Sequence, residues 1–407
     1  MTSNRRSVVL IAAGVTGRNL PLQPWRFLIE SGRQLAVRGR EVHLVSDGLE
    51  QAGAQDELCD LPVWRLRSVS NPLWHPNREL YRLVEKLNPS TVLWHMGLTS
   101  LLHQRYALPG NVPIVGIFTS PIYRLSQLLQ LGLPRLVAGY RLSAVHLLGA
   151  LIPRRLLHHL LHGSNVRHMV VQSKTLARQL RRTGIWGGPI RVIQPGVDAV
   201  WHPQAPENVA AVRARLGYEP GDKVLVYFGS PAPLRGLHTL LRAFALARQD
   251  DNGLKLLVLS RRQVDELARQ DAAFRRLLQN SAVSHHVQVI GGFLPKERLV
   301  SYVAAADVVV LPFELVPSDA PLSLFETQAL GKPIVTTNVS CLPEIVGCSD
   351  NNFTSPGDAA ALAGAIERQL LAQSQRSEGH RGRNLNGSTR TSPRRWKQVG
   401  IDWSSLV

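Results

Sequence analysis

"VVVLPFELVPSDAPLSLFETQALGKPIVTTNV" spans residues 308–339. It opens on a β-branched run and turns through three prolines. It continues as "SLFETQALG", with a helical spacing of apolar residues and a glycine stop, and closes on a second β-branched run, "PIVTT". Strand, helix and strand of this character make a βαβ unit whose parallel strands are buried on both faces. Within the helix a single carboxylate, Glu326, sits among small and apolar residues.

The same alternation extends in both directions. Upstream lie "KVLVYFGSPAPLRGLHTLLRAFALA" (223–247), read as strand, loop and helix; "LKLLVLS" (254–260), a strand; and "VQVIGGFLPKERLVSYVAAAD" (287–307), strand and helix. Downstream, "DAAALAGAIERQLLAQ" is a last long helix. An earlier series runs through strands "RSVVLIAAGV", "REVHLVSDG", "TVLWHMG", "VPIVGIFTS", "VRHMVVQS" and "IRVIQPGVD", with helices "PWRFLIESGRQLAVRG" and "KTLARQLRRTG" between them. The expected fold is therefore α/β, with two doubly wound Rossmann-like domains, residues 1–197 and 208–370, facing across a cleft. Residues 371–407 are expected to form a basic, partly disordered tail with a short terminal helix. Ligands of such sheets sit beyond the carboxyl ends of the strands.

Composition narrows the function. At 407 residues with 44% apolar and 19% charged side chains, the chain is long enough for two cores and too apolar for a disordered protein. Three cysteines, Cys59, Cys341 and Cys348, give neither a disulfide framework nor a zinc site. With 47 basic against 29 acidic residues the net charge is +18, which favours an anionic partner. No Asp or Glu occurs between Glu85 and Asp198, while arginines recur there. Within that span, residues 124–163 alternate leucines with Arg and His at helical spacing. This suits an anionic membrane surface; packed helices with solvated charges are the other reading. The basic residues lack interleaved aromatics, so no nucleic-acid partner is expected.

The N-terminus of the helix bearing Glu326 is a ready anion site, because its first amides lack partners and the helix dipole adds positive potential. Ser323 is a candidate cap, and Glu326, one turn in, could accept hydrogen bonds from ribose hydroxyls. Alternatively it is a first-turn glutamate placed by the dipole. Arg235, after the strand "KVLVYF", is a permanent cation suited to a diphosphate, or else a solvated surface arginine.

The ordered landmarks "QPGVD", "YFGSPAPLRG", "GGFLP", "PSDAPLSLFETQALGKPIVTTNVSCLPEIV" and "SPGDAAALAGAI" resemble the retaining, GT-B-fold nucleotide-sugar glycosyltransferases of the family-four type, most clearly over residues 190–370. The resemblance implies that Glu326 holds the donor ribose and Arg235 contacts the diphosphate. It further implies that Pro321, Leu322 and Ser323 offer backbone amides to phosphate, that Phe293 and Leu294 line the nucleobase pocket, and that Gly17, beside Arg18, approaches the phosphates from the first loop. Two positions depart from the pattern. The family's first glutamate, which meets the sugar, falls on Ser318 with Asp319 beside it, and its phosphate-loop arginine falls on Ser230. No histidine follows "VPIVGIF"; Thr119, Ser120 and Pro121 stand there, leaving His95 as a substitute catalytic candidate or a hydrogen-bonded structural residue.

The implied activity is transfer of a sugar from a nucleotide diphosphate to a glycan or lipid-linked hydroxyl, by a cytoplasmic protein peripheral to the inner face of the membrane. A non-catalytic binding protein of the same shape is the alternative. No metal and no resident cofactor are expected, the nucleotide sugar being a substrate.

Overall fold

A computed structural model of the chain describes residues 7–17, 20–48, 55–58, 60–132, 136–137, 140–230, 234–249, 251–262, 284–347, 352–379 and 393–407. The strands in chain order are β1 (Ser7–Ile11), β2 (Glu41–Asp47), β3 (Gln55–Leu58), β4 (Leu61–Leu66), β5 (Thr91–Met96), β6 (Ile114–Phe118), β7 (Val166–Val171) and β8 (Ile190–Val192), followed by β9 (Lys223–Gly229), β10 (Leu254–Ser260), β11 (Val287–Gly291), β12 (Val308–Leu311), β13 (Ile334–Thr337) and β14 (Phe353–Thr354). They form an eight-stranded sheet, β3-β4-β2-β1-β5-β6-β7-β8, and a six-stranded sheet, β11-β10-β9-β12-β13-β14. Among the described strand pairs of the two sheets, only β3–β4 is antiparallel. Each sheet therefore reverses strand order beside its first strand, β1 or β9, and a crevice opens there at the carboxyl ends.

The quoted unit folds as its pattern requires. β12 and β13 pair in parallel, Val309 beside Ile334, and the helix Leu322–Ala329 crosses between them. All four residues of each strand are buried, because helices cover both faces. The helices Leu237–Ala247 and Ala359–Gly379 bury Leu240, Leu241, Phe244, Leu362 and Ile366 in the core of the second sheet.

The terminal helix, Trp396–Ser404, returns to the first half. Trp396, Val399 and Trp403 join Phe27 and Leu28 in the core under β1, with the Trp403 and Phe27 rings 6.2 Å apart. The tail expected from residue 371 is thus helical to Gly379 and docked from residue 396; residues 380–392, in its basic middle, lie outside the described residues. Cys341 is a buried small apolar residue. Cys59 and Cys348 lie outside the described residues.

The halves meet along several fixed contacts. Tyr123, Leu128, Leu131 and Leu136 of the first half pack with Leu234 and Leu315 of the second. The backbone N–H of Val316 donates to the Tyr123 hydroxyl at 2.8 Å. Two carboxylates of the second half clasp the start of the helix Lys174–Arg182. Glu344 accepts from the Lys174 and Thr175 N–H groups, each at 2.7 Å, and Asp319 accepts from the Ser173 hydroxyl at 2.7 Å and the Gln172 N–H at 3.0 Å. That helix end would otherwise present orphan donors and positive potential within a stretch, residues 86–197, that has no carboxylate of its own, so acids from across the interface satisfy both.

The span 124–163 divides into the helices Leu125–Leu129, Tyr140–Leu151 and Arg154–His162. Leu128, Leu136, Leu157 and Leu161 are buried, as packed helices require, whereas Leu129, Leu148, Leu151 and Leu156 are exposed. No described helix is long and apolar enough to cross a membrane.

Candidate active site

Two adjoining hollows open where the carboxyl ends of β9 and β10 face the loop after β1. They share Pro21, Phe228, Gly229, Arg261, Leu322 and Glu326, so they form one continuous cleft. Its walls come from both halves. The first half contributes Pro21, Leu22 and Gln23 from the loop before the helix Trp25–Val37.

The first hollow is apolar and aromatic. Trp201 and Phe228 stack with centroids 6.0 Å apart and planes 27° off parallel, and Phe293, Leu294 and Leu299 complete its lining. Phe293 is 62% exposed, an edge that a flat ring system could cover. At its polar margin Asp198 ties four segments together. It pairs with Arg26 at 2.6 Å and Lys296 at 2.8 Å, and accepts from the Trp396 indole N–H at 3.1 Å, while Arg395 donates to its backbone carbonyl at 2.6 Å. Burial alone would raise the Asp198 pKa, but these two cations hold it below the usual carboxylate range. Asp198 is thus a structural hub within the cleft wall.

The second hollow holds Ser230, Arg235, Ser318, Pro321, Leu322, Ser323 and Glu326, bringing together most of the residues singled out in the sequence. Arg235 follows Leu234, which has a left-handed φ of 68°. Its guanidinium lies over the Phe313 ring, 4.9 Å from the centroid, and its buried Nε has no partner. Across the hollow, Ala320, at φ 52°, turns the chain into the helix Leu322–Ala329. Non-glycine residues held in this region are strained, and here they bracket the cleft on both sides.

The N-cap of that helix is Pro321, with no side-chain cap. Ser323 is therefore not the cap expected from sequence; it lies inside the first turn with its hydroxyl buried and unpartnered. The helix begins at Leu322, so Glu326 is past the first turn and its position owes little to the dipole. Burial raises the Glu326 carboxyl to about 7, against the opposing pull of Arg261.

Other expected residues stand elsewhere. Asp319 lines neither hollow. It is buried against the first half, where desolvation lifts it to about 6 despite its hydrogen bonds from Ser173 and Gln172. It is consequently unavailable to replace the missing glutamate, and Ser318 alone faces the hollow with an unpartnered Oγ. His95, at the end of β5, has Nε2 2.9 Å from the Thr119 hydroxyl, and burial lowers it to about 4, so it is neutral at pH 7. It lines neither hollow. Gly17 is exposed and lines neither, and Arg18 lies outside the described residues.

The sequence reading missed Arg261, Gln23, Trp201 and the Arg26–Asp198–Lys296 cluster. Arg261 alone carried a usable signal, since it directly follows the apolar strand "LKLLVLS", at the carboxyl end where ligands sit. Among the described residues the cleft is lined by the cations Arg26, Arg235, Arg261 and Lys296 against the carboxylates Asp198 and Glu326, a surplus of two positive charges. No described cluster of His, Cys, Asp and Glu could hold a metal ion.

The family model for group 1 glycosyl transferases matches residues 222–372, and that for glycosyltransferase family 4 matches residues 25–201. A D-inositol 3-phosphate glycosyltransferase of Rhodococcus jostii is 32% identical over 165 residues, 40% of this chain and 35% of the relative. The corresponding protein of Acidothermus cellulolyticus is 30% identical over 222 residues, 53% of this chain and 48% of the relative. The chain thus spans less than half the length of these curated relatives. Among solved structures, sucrose-phosphate synthase of Thermosynechococcus elongatus superposes with a TM-score of 0.67 at 17% identity, covering 99% of this chain and 98% of that one. The Anabaena protein HepE, solved with UDP and glucose, gives 0.64 at 14% identity, covering 98% of each. One family model over each half and a GT-B arrangement of the two sheets lead to one conclusion: the chain belongs to the group 1 glycosyltransferases.

Proposed function

We propose that the protein is a retaining glycosyltransferase that moves a sugar from a nucleotide diphosphate to a hydroxyl of a glycan or lipid-linked acceptor. The carrying observation is that Glu326 and Arg235, 91 positions apart in the chain, line one hollow that also holds an uncapped helix start. A nucleoside diphosphate ester carries two negative charges, equal to the positive surplus of the cleft. The aromatic hollow would take the base, Glu326 the ribose hydroxyls, and Arg235 with the helix amides the diphosphate. In the reaction the bond from the anomeric carbon to the phosphate oxygen breaks, and one to the acceptor oxygen forms. The acceptor proton is released to solvent, and the leaving diphosphate gains a negative charge. Fixed cations in a partly desolvated cleft stabilise that charge as it develops. HepE, of the same fold, was solved with UDP and glucose.

Calorimetric titration with UDP- and GDP-sugars tests the reading, and binding of at least one is expected. Lack of affinity for any nucleotide diphosphate overturns it. Binding without transfer to any glycan or lipid acceptor favours the non-catalytic alternative, which Ser230 and Ser318 motivate.

The acceptor side fits a cytoplasmic protein peripheral to an anionic membrane. Leu129, Leu148, Leu151 and Leu156 are exposed on helices among which Arg124 caps the first and Arg154 and Arg155 open the last, in a span without a carboxylate. Each basic residue near such a surface contributes on the order of 1 kcal/mol, screened by salt. Sedimentation with phosphatidylglycerol-containing vesicles is expected at low salt, weakening as salt rises. Leu148→Glu with Leu151→Glu is expected to lower partitioning by roughly tenfold or more, through lost apolar burial and added like charge. Equal binding to neutral vesicles would argue against the reading.

A further inference from the structure

Resting on the donor reading above, we infer that Arg261 is the second diphosphate-binding cation of this protein, supplied from β10 in place of the arginine absent at Ser230. β9 and β10 pair in parallel with Ser260 beside Gly229, so Arg261 and Ser230 are the next residues of adjacent strands, side by side beyond the sheet edge. The Arg261 N–H donates to the Gly229 carbonyl at 3.2 Å, fixing its backbone against the loop that Ser230 opens. A cation leaving the sheet at 261 reaches the space that a side chain at 230 would serve. Arg261, Ser230 and Arg235 all line the second hollow, and Arg261 also lines the first, which places it at their junction.

Its partners within the protein are few. Nη2 makes a long contact, 3.4 Å, to the Pro21 carbonyl of the opposite half. Glu326 is the acid facing it, while Arg235 repels it. Burial presses both guanidiniums toward lower pKa, and of the two only Arg261 feels the Glu326 carboxylate, so two poorly solvated cations stand together with little negative charge between them. A dianion set between them relieves that arrangement, and a planar guanidinium can meet a phosphate in bidentate fashion. If Arg261 were only a counter-ion for Glu326, it would affect the ribose end and leave the phosphates indifferent.

The test separates these roles. Wild type, Arg261→Ala and the double variant Arg261→Ala with Ser230→Arg are titrated with UDP, GDP and ADP and with uridine, guanosine and adenosine. Nucleoside binding is followed by ligand-observed NMR, and circular dichroism melting checks the fold of each variant. Expected for the diphosphate that wild type prefers is a loss of about ten- to hundredfold in Arg261→Ala. The matching nucleoside should change less than about threefold, and the double variant should regain most of the loss. Unchanged diphosphate affinity, an equal loss for the nucleoside, or failure of Ser230→Arg to rescue a folded protein each overturns the assignment. Should Arg261→Ala melt early, Arg261→Lys, which keeps charge but not the planar fork, takes its place and is expected to lose part of the diphosphate affinity. Wild type that binds no diphosphate at all overturns the donor reading itself, and this inference with it.

Discussion

Glu326→Ala is expected to weaken binding of an intact nucleotide sugar by about 1.5–3 kcal/mol, roughly ten- to hundredfold, while leaving the fold in place. The magnitude is that of hydrogen bonds from neutral hydroxyls to a charged acceptor in a cleft of reduced solvation. The fold should survive because no hydrogen bond to this carboxylate is found among the described residues, and only the packing of a half-buried side chain is lost. A glutamate present merely as a good helix former would change affinity less than threefold on removal.

The titration of Glu326 sharpens the test. Its folded pKa, about 7, lies above the ordinary glutamate value of 4.5 because burial disfavours the charge. The protonated carboxyl therefore stabilises the unliganded protein fully below about pH 4.5, and that contribution is lost as pH rises through 7. The ionised form is the better acceptor, so donor affinity should rise from pH 6 toward pH 8 as the carboxyl ionises. Glu326→Gln should flatten both trends. The intact nucleotide sugar is the proper probe, since a free nucleoside diphosphate has a terminal phosphate that titrates in the same range. An affinity profile that keeps its slope in Glu326→Gln would assign the pH dependence to another group.

The regular parts of this fold are legible because both sheets are buried on both faces. The apolar runs within 7–11, 223–229, 254–260 and 308–311 are close to continuous, as strands covered on both faces of a parallel sheet require. The β3–β4 ribbon is not legible, because "LPVWRL", the strand next to the edge strand β3, is short and broken by Pro62 and Arg65 and reads as loop. The site was half legible for a related reason. Glu326 and Arg235 belong to local patterns, a carboxylate inside a helix and a cation after a strand. The Arg26–Asp198–Lys296 cluster joins residues far apart in the chain, and only the docking of the two halves assembles it. Asp319 misleads for the same cause. Its neighbours in sequence point to the sugar, while Ser173 and Gln172, across the interface, claim both its oxygens. Distance along the chain, more than residue chemistry, marks where the reading stopped.

Gly236→Ala is expected to cost about 2–4 kcal/mol of stability and to weaken donor binding as well, whereas Gly17→Ala should stay within about 0.5 kcal/mol. Gly236 has φ +78°, which L side chains rarely adopt, and a Cβ there would meet the Pro312 carbonyl oxygen at 1.7 Å. Backbone, not a flexible side-chain tip, is the obstacle, so one of the two loops must move. The loop is also pinned, because the Leu234 carbonyl accepts from the N–H groups of Glu314 and Leu315 at 2.8 and 2.9 Å, and a shift breaks these bonds or moves the end of β12. Arg235 lies between Leu234 and Gly236, so any displacement carries its guanidinium off the Phe313 ring and away from the diphosphate position. A cost to folding and a cost to binding therefore share one cause. Gly17 is the matched control, since its φ lies outside the left-handed region and a Cβ added there would meet nothing within 4 Å. Urea denaturation followed by tryptophan fluorescence, with nucleotide-sugar titration on each variant, checks both expectations. Equal stability of the two variants would mean that the β9 loop yields freely, which would remove the physical reason for Arg235 to be held where it is.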